Sequence, residues 1–167
     1  TDKVCVETDT PDPLNPYSVS KLAGEHLMKM YNDLYGIQTV SLRYFNVYGP
    51  RQSDTGQYAP VVGIFQKQKA QNSALTIVGD GKQTRDFIHV SDIAAANILV
   101  SELDVTGVYN VGTGVEYSVN QIANMISGVQ RNIPPRVGEA KRSLADSSKI
   151  RSLGWEPKVK LEDWVNV

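Results

Sequence analysis

The sequence predicts an α/β fold on three observations: apolar residues at helical spacing, runs rich in β-branched and aromatic residues, and the alternation of the two along the chain. In "NPYSVSKLAGEHLMKMYNDLYG", Val19, Leu22, Ala23, Leu27, Met30 and Leu34 form one helical stripe, the face expected to meet a core. Asn15 is a good N-cap, Pro16 suits the first helical position, and Gly36 supplies a left-handed stop. "IQTVSLRYFNVYG" follows as a strand ending in a Gly-Pro turn, so helix and strand read as half of a βαβ unit. Pro60 opens an amphipathic helix through Val61, Ile64, Phe65 and Gln68. "LTIV", "GDGKQ" and "TRDFIHV" read as strand, Gly-rich turn and strand. Ser91 is expected to cap the helix "DIAAANILVSEL", "GVYNVG" to form a short strand, and Ser118 to cap "VNQIANMI". "DSSKIRSLGWEP" is a short helix closed by Gly154 and Pro157, and "LEDWVNV" begins another helical pattern. The opening "TDKVCVETDTPDPL" has no period and reads as surface loop.

The chain has 167 residues, 41% hydrophobic and 21% charged, with a formal net charge of -1. That length supports one real core, since a chain of about 150 residues buries roughly 68–70% of its unfolded surface. The balanced charge, without a basic run, argues against nucleic acid and a membrane surface as partners. Cys5 stands alone, which excludes an intrachain disulfide and a thiolate metal cluster. No apolar run approaches the roughly 20 residues that a bilayer span needs, and the expectation is a soluble, cytoplasmic protein. His26 and His89 read as structural, without metal-ligand neighbours, so no metal is expected.

Tyr17 and Lys21 stand four residues apart at the head of the first helix. Four residues turn about 400°, which sends both side chains to nearly the same face. A tyrosine hydroxyl titrates near ~10, and an adjacent cation favours the phenolate, which suits tyrosine to acid/base work near neutrality. Taken alone, such a pair is more often a first-turn aromatic beside a solvated lysine. Arg85 beside Asp86 reads equally as an ordinary surface pair, and Asn46 as a residue of the Gly-Pro turn. "GDG" and "GTG" do not continue as G-x-G-x-x-G and are not dinucleotide fingerprints.

The context changes that reading. "NPYSVSKLAGEHL" resembles the catalytic helix of the extended short-chain dehydrogenase/reductase family, the NAD-dependent nucleotide-sugar epimerases and dehydratases. "LRYFNVYGPRQ", "IVGDGKQTRDFIHVSDIA", "YNVGTG" and "RVGEAKRSLADSSKIRSLGWEPKVKLED" resemble later segments of that family, in its order and spacing, from about residue 11 onward. The resemblance implies that Tyr17 takes a proton from a sugar hydroxyl, with hydride passing to NAD, and that Lys21 tunes the tyrosine and holds the nicotinamide ribose. It implies Tyr44 and Val47 near the nicotinamide end of NAD, Asn46 on the nucleotide-sugar, and Ala59 and Thr76 lining the nucleotide pocket. Arg85 and Arg136 match the arginines that clamp the diphosphate, a role suited to the planar guanidinium fork. Glu139 stands where the family usually has a ribose-binding Asp.

The same resemblance implies residues 1–58 as the remnant of a Rossmann-type NAD-binding domain, with the Tyr-x-x-x-Lys helix and its following strand. Residues 59–167 are then mainly a small mixed α/β lobe that binds the nucleotide-sugar, interleaved with the Rossmann part. A Gly-rich turn for the cofactor's pyrophosphate and an upstream Ser or Thr partner for the reacting hydroxyl are not found. The chain therefore reads as the C-terminal half of an enzyme, inactive alone and better able to hold a UDP-sugar than NAD. The activity implied is UDP-hexose 4-epimerisation through a 4-keto species, with a dehydratase as the close alternative. A non-catalytic fragment that binds a nucleotide-sugar or only self-associates is the other class. A homodimer is possible by family likeness.

Overall fold

Local capping chemistry starts the first helix where the sequence places it. Asn15 Oδ1 accepts the Ser18 N–H at 2.9 Å and Ser18 Oγ accepts the Asn15 N–H at 3.1 Å, a reciprocal capping box. A computed structural model describes residues 3–56, 59–136 and 140–165 of the chain. Helix α1 (Pro16–Tyr35) ends at Gly36, whose φ of 65° lets its N–H close on Asn32 O. Strands β1 (Val40–Tyr44) and β2 (Asn46–Tyr48) follow. Then come α2 (Val61–Ala70), β3 (Leu75–Val78), β4 (Thr84–His89) and α3 (Val90–Glu102). Next are β5 (Gly107–Val111), β6 (Glu116–Ser118), α4 (Val119–Ile126) and β7 (Gln130–Ile133). The short β8 (Arg142–Ser143), α5 (Ser148–Arg151) and α6 (Leu161–Val165) complete the described residues. The mixed α/β class expected from the sequence is the class observed.

Strand pairing divides the chain between small sheets. β1 lies parallel to β5, and β3 parallel to β7. β4 is the hub of the third sheet: β2 and β8 pair with it in parallel, and β6 antiparallel. The single strand expected over "IQTVSLRYFNVYG" is broken at Phe45, whose N–H donates to Val111 O at 3.1 Å while its neighbours belong to different sheets. The chain changes sheets there, and a sequence of uniform β propensity carries no sign of it.

Two hydrophobic cores meet across β4. One gathers Phe65, Leu75, Ile77, Phe87, Ile122 and Ile126; the other gathers Ile88, Ile93, Tyr109, Val111, Ile150 and Trp155. Phe87 and Ile88 are consecutive strand residues, so the pleat sends one to each core. Both cores draw on residues before and after position 59, since Tyr48 joins the first and Val40, Leu42 and Val47 pack on the second.

Three expectations are corrected. The stripe on α1 does not meet a core: no α1 residue is buried, and Val19, Leu27, Met30 and Leu34 are exposed. α1 is attached by polar bonds, Arg43 to the Glu25 carboxylate at 2.8 and 2.6 Å and Thr39 Oγ1 to Met28 O at 2.8 Å. The cap of α3 is His89, not Ser91: Nδ1 of the histidine accepts the Ser91 N–H, so the helix is capped two residues earlier than expected. The opening segment is not free loop: Glu7 Oε1 accepts the Asn110 N–H at 2.8 Å, and Cys5 bridges to Ala145. Among the described residues, no helix is long and apolar enough to cross a membrane.

Candidate functional site

Strand alternation builds the floor of a cleft of about 520 Å³. On β3, Leu75 and Ile77 are buried in the core, while Thr76 and Val78 line the cleft. On β4 and the turn before it, Gln83, Arg85 and Phe87 line the cleft while Asp86 and Ile88 turn the other way. Phe45, Asn46 and Val47 come from the sheet crossing, Ala59, Pro60, Val61 and Ile64 from the start of α2, and Ile133 and Arg136 from the end of β7 and beyond. Tyr17, in the first turn of α1, closes one side.

Seven residues picked out in the sequence thus border one cleft: Tyr17, Asn46, Val47, Ala59, Thr76, Arg85 and Arg136. Lys21 stands one turn behind Tyr17, its Nζ 5.2 Å from the ring centroid, and is not part of the wall. Tyr44 also lies outside the cleft; its hydroxyl bonds the Asn97 amide on α3 at 3.0 Å. Glu139 lies outside the described residues. Asn46 does not serve the Gly-Pro turn: it sits on β2 and its Nδ2 donates to Asp86 O at 3.3 Å.

Arg85 and Asp86 are not a surface pair. Asp86 is fully buried, and its carboxylate accepts the Thr113 N–H (2.8 Å), the Thr113 hydroxyl (2.7 Å), the Gly114 N–H (2.9 Å) and the Ala145 N–H (3.2 Å). The bonds pin the β5–β6 turn and the residues after β8 to the back of β4, and Arg85 projects to the front. Behind the same sheet Glu116 accepts from Arg142 Nε at 2.9 Å and from Thr84 Oγ1 at 2.7 Å, and these bonds hold its carboxyl below the usual carboxylate range. Sequence reasoning missed the apolar walls Val78, Phe87 and Ile133 and the polar Gln83. The available signal was the period of two: Thr76 flags Val78, and Arg85 flags Gln83 and Phe87.

Chemically, the cleft offers two guanidinium groups, the side-chain amides of Asn46 and Gln83, a phenol with an ammonium behind it, and apolar walls. That set suits an anionic ligand with a flat apolar part. The model of the NAD dependent epimerase/dehydratase family matches residues 2–112, so the chain belongs to that family. A UDP-glucose 4-epimerase of Mycolicibacterium smegmatis is 36% identical over 162 residues, covering 92% of this chain and 51% of that protein. Two solved structures superpose closely. A UDP-N-acetylglucosamine 4-epimerase from Methanobrevibacter ruminantium, in complex with UDP-N-acetylmuramic acid, matches with a TM-score of 0.93 and 36% identity, over 99% of this chain and 56% of its own. The UDP-glucose 4-epimerase of Thermus thermophilus, in complex with NAD, matches with a TM-score of 0.89 and 35% identity, over 99% and 56%. The chain spans about half the length of the relatives it matches.

Proposed function

We propose that this chain carries the nucleotide-sugar side of an NAD-dependent UDP-hexose 4-epimerase of the cytoplasm, acting through a 4-keto intermediate. The observation that carries the reading is the shared cleft: the Tyr17 ring and the Arg85 and Arg136 side chains border one concavity of about 520 Å³. In this reading the two guanidinium groups hold the diphosphate bidentately, Asn46 bonds the sugar, and Ala59 and Thr76 border the nucleotide. Glu139 is assigned to the ribose. Tyr17 removes the proton from the sugar 4-hydroxyl, and Lys21, whose ammonium stands 5.2 Å from the ring centroid, is its partner on the same helical face.

NAD, when bound, supplies the hydride acceptor. The donors present fit its nicotinamide ribose, because the Tyr17 hydroxyl and the Lys21 ammonium stand together on one helical face and can serve ribose hydroxyls. Val47 borders the cleft, and Tyr44 ends the parallel strand β1, the carboxyl end at which open α/β sheets bind ligands. Residues 1–58 then belong to the cofactor-binding domain and residues 59–167 mainly to the substrate lobe. The uncovered apolar residues of α1, Leu27, Met30 and Leu34, suit pairing in a homodimer.

The test is turnover of UDP-glucose with NAD in a protein extended to the relatives' full length. Tyr17→Phe is expected to lower kcat by roughly 10²–10⁴-fold, the span of a positioned acid/base, with the affinity for UDP-glucose retained. Unchanged turnover would remove Tyr17 from the chemistry.

A further inference from the structure

Gln68 does not line the cleft, yet its side-chain amide reaches across from α2 to β3. Its Oε1 accepts the backbone N–H of Thr76 at 3.0 Å, and its Nε2 donates to Thr76 Oγ1 at 2.8 Å. Each bond fixes the sense of the other. A backbone N–H can only donate, so the amide oxygen must face it; the NH₂ then faces the hydroxyl, which must accept. The hydrogen on Oγ1 is thereby turned away from Gln68. Alternation along β3 sets Thr76 on the cleft side, opposite the buried Leu75 and Ile77.

We propose that Gln68 is a positioning residue that commits the Thr76 hydroxyl to donating into the cleft. This end of the cleft then selects a base that presents a hydrogen-bond acceptor, such as a ring carbonyl of a pyrimidine. The inference rests on the reading of the cleft as a nucleoside-diphosphate site. Ile64, Phe65, Val78 and Ile133 make apolar wall nearby, so a donor of fixed direction among them orients a flat ring that apolar contact alone would leave free to turn.

The experiment is calorimetric titration of UDP into the chain and its variants. Gln68→Glu keeps the size of the side chain and one acceptor for the Thr76 N–H, but replaces the NH₂ by a second acceptor. The hydroxyl then donates to the new carboxylate and is withdrawn from the cleft. Affinity for UDP is expected to fall about tenfold, the order of one hydrogen bond. Thr76→Val should give the same loss and Thr76→Ser almost none. In the Thr76→Val background Gln68→Glu should add nothing, because the group through which it acts is gone.

Wild-type affinity in Gln68→Glu would overturn the proposal. So would a further tenfold loss in the double variant, which would show the carboxylate acting by charge or through the fold. Absence of UDP binding by the wild-type chain would overturn the nucleotide reading of the cleft itself, and the proposal with it.

Discussion

Asp86 spends its charge on the backbone of two other segments. Its donors come from 27 to 59 residues further along the chain. Nothing in "TRDF" announces those partners, which is why the residue looks in the sequence like the anionic half of a surface pair with Arg85. The neighbouring Gly112 belongs to the same arrangement. A Cβ there would lie 2.6 Å from Ala145 Cβ and 2.7 Å from Asp86 Oδ2, so the close approach needs glycine for space rather than for backbone freedom. Asp86→Ala leaves the amides of Thr113, Gly114 and Ala145 without their acceptor. Of these, Ala145 is buried, Thr113 half-buried and Gly114 exposed, so at about 1–3 kcal/mol for an unsatisfied buried group the expected loss is about 1–3 kcal/mol, read from the urea midpoint. A loss below about 1 kcal/mol would contradict the role given to Asp86. By contrast Tyr17, Asn46, Thr76 and Arg85 were legible, because each stands in a short motif whose order along the chain survives folding.

Caps and turns are local, and at the level of elements they were read well: Asn15, Gly36 and Ser118 act where they were expected. The errors came where a partner decides. The α1 stripe has helical period, yet period tells only that a face is apolar and not what covers it. Phe45 breaks a strand because β1 and β2 find different neighbours, and His89 caps α3 because its imidazole turns back to the Ser91 N–H. The link between β6, β8 and β4 through Glu116 gives an element-level prediction. A carboxyl held below its usual range by Arg142 and Thr84 contributes stability above its unfolded value near ~4.3. That contribution is lost as pH falls through the lower folded value. Thermal melting of Glu116→Gln at pH 7 and pH 3 should therefore show a smaller difference between the two pH values than wild type. An identical difference would mean that the bonds to Arg142 and Thr84 do not favour the charged form.

For the molecule as a whole, β4 is the seam. Its two faces feed two cores, and its front, with β3 and the crossing at Phe45, makes the floor of the cleft. The cleft was legible as a set of residues but not as a volume, since its apolar walls are ordinary core residues until the topology exposes one edge of them. Its membership underlies the proposal that a nucleoside diphosphate binds between the arginines and the face of β3 that carries Thr76 and Val78. The most direct measurement is a titration of UDP into the isotope-labelled chain, followed by amide chemical shifts. Saturable shifts are expected to cluster at Asn46, Thr76, Val78 and Arg85, with α3 and α5 unmoved. Shifts absent from those amides, or confined to a different face of the protein, would contradict the proposal.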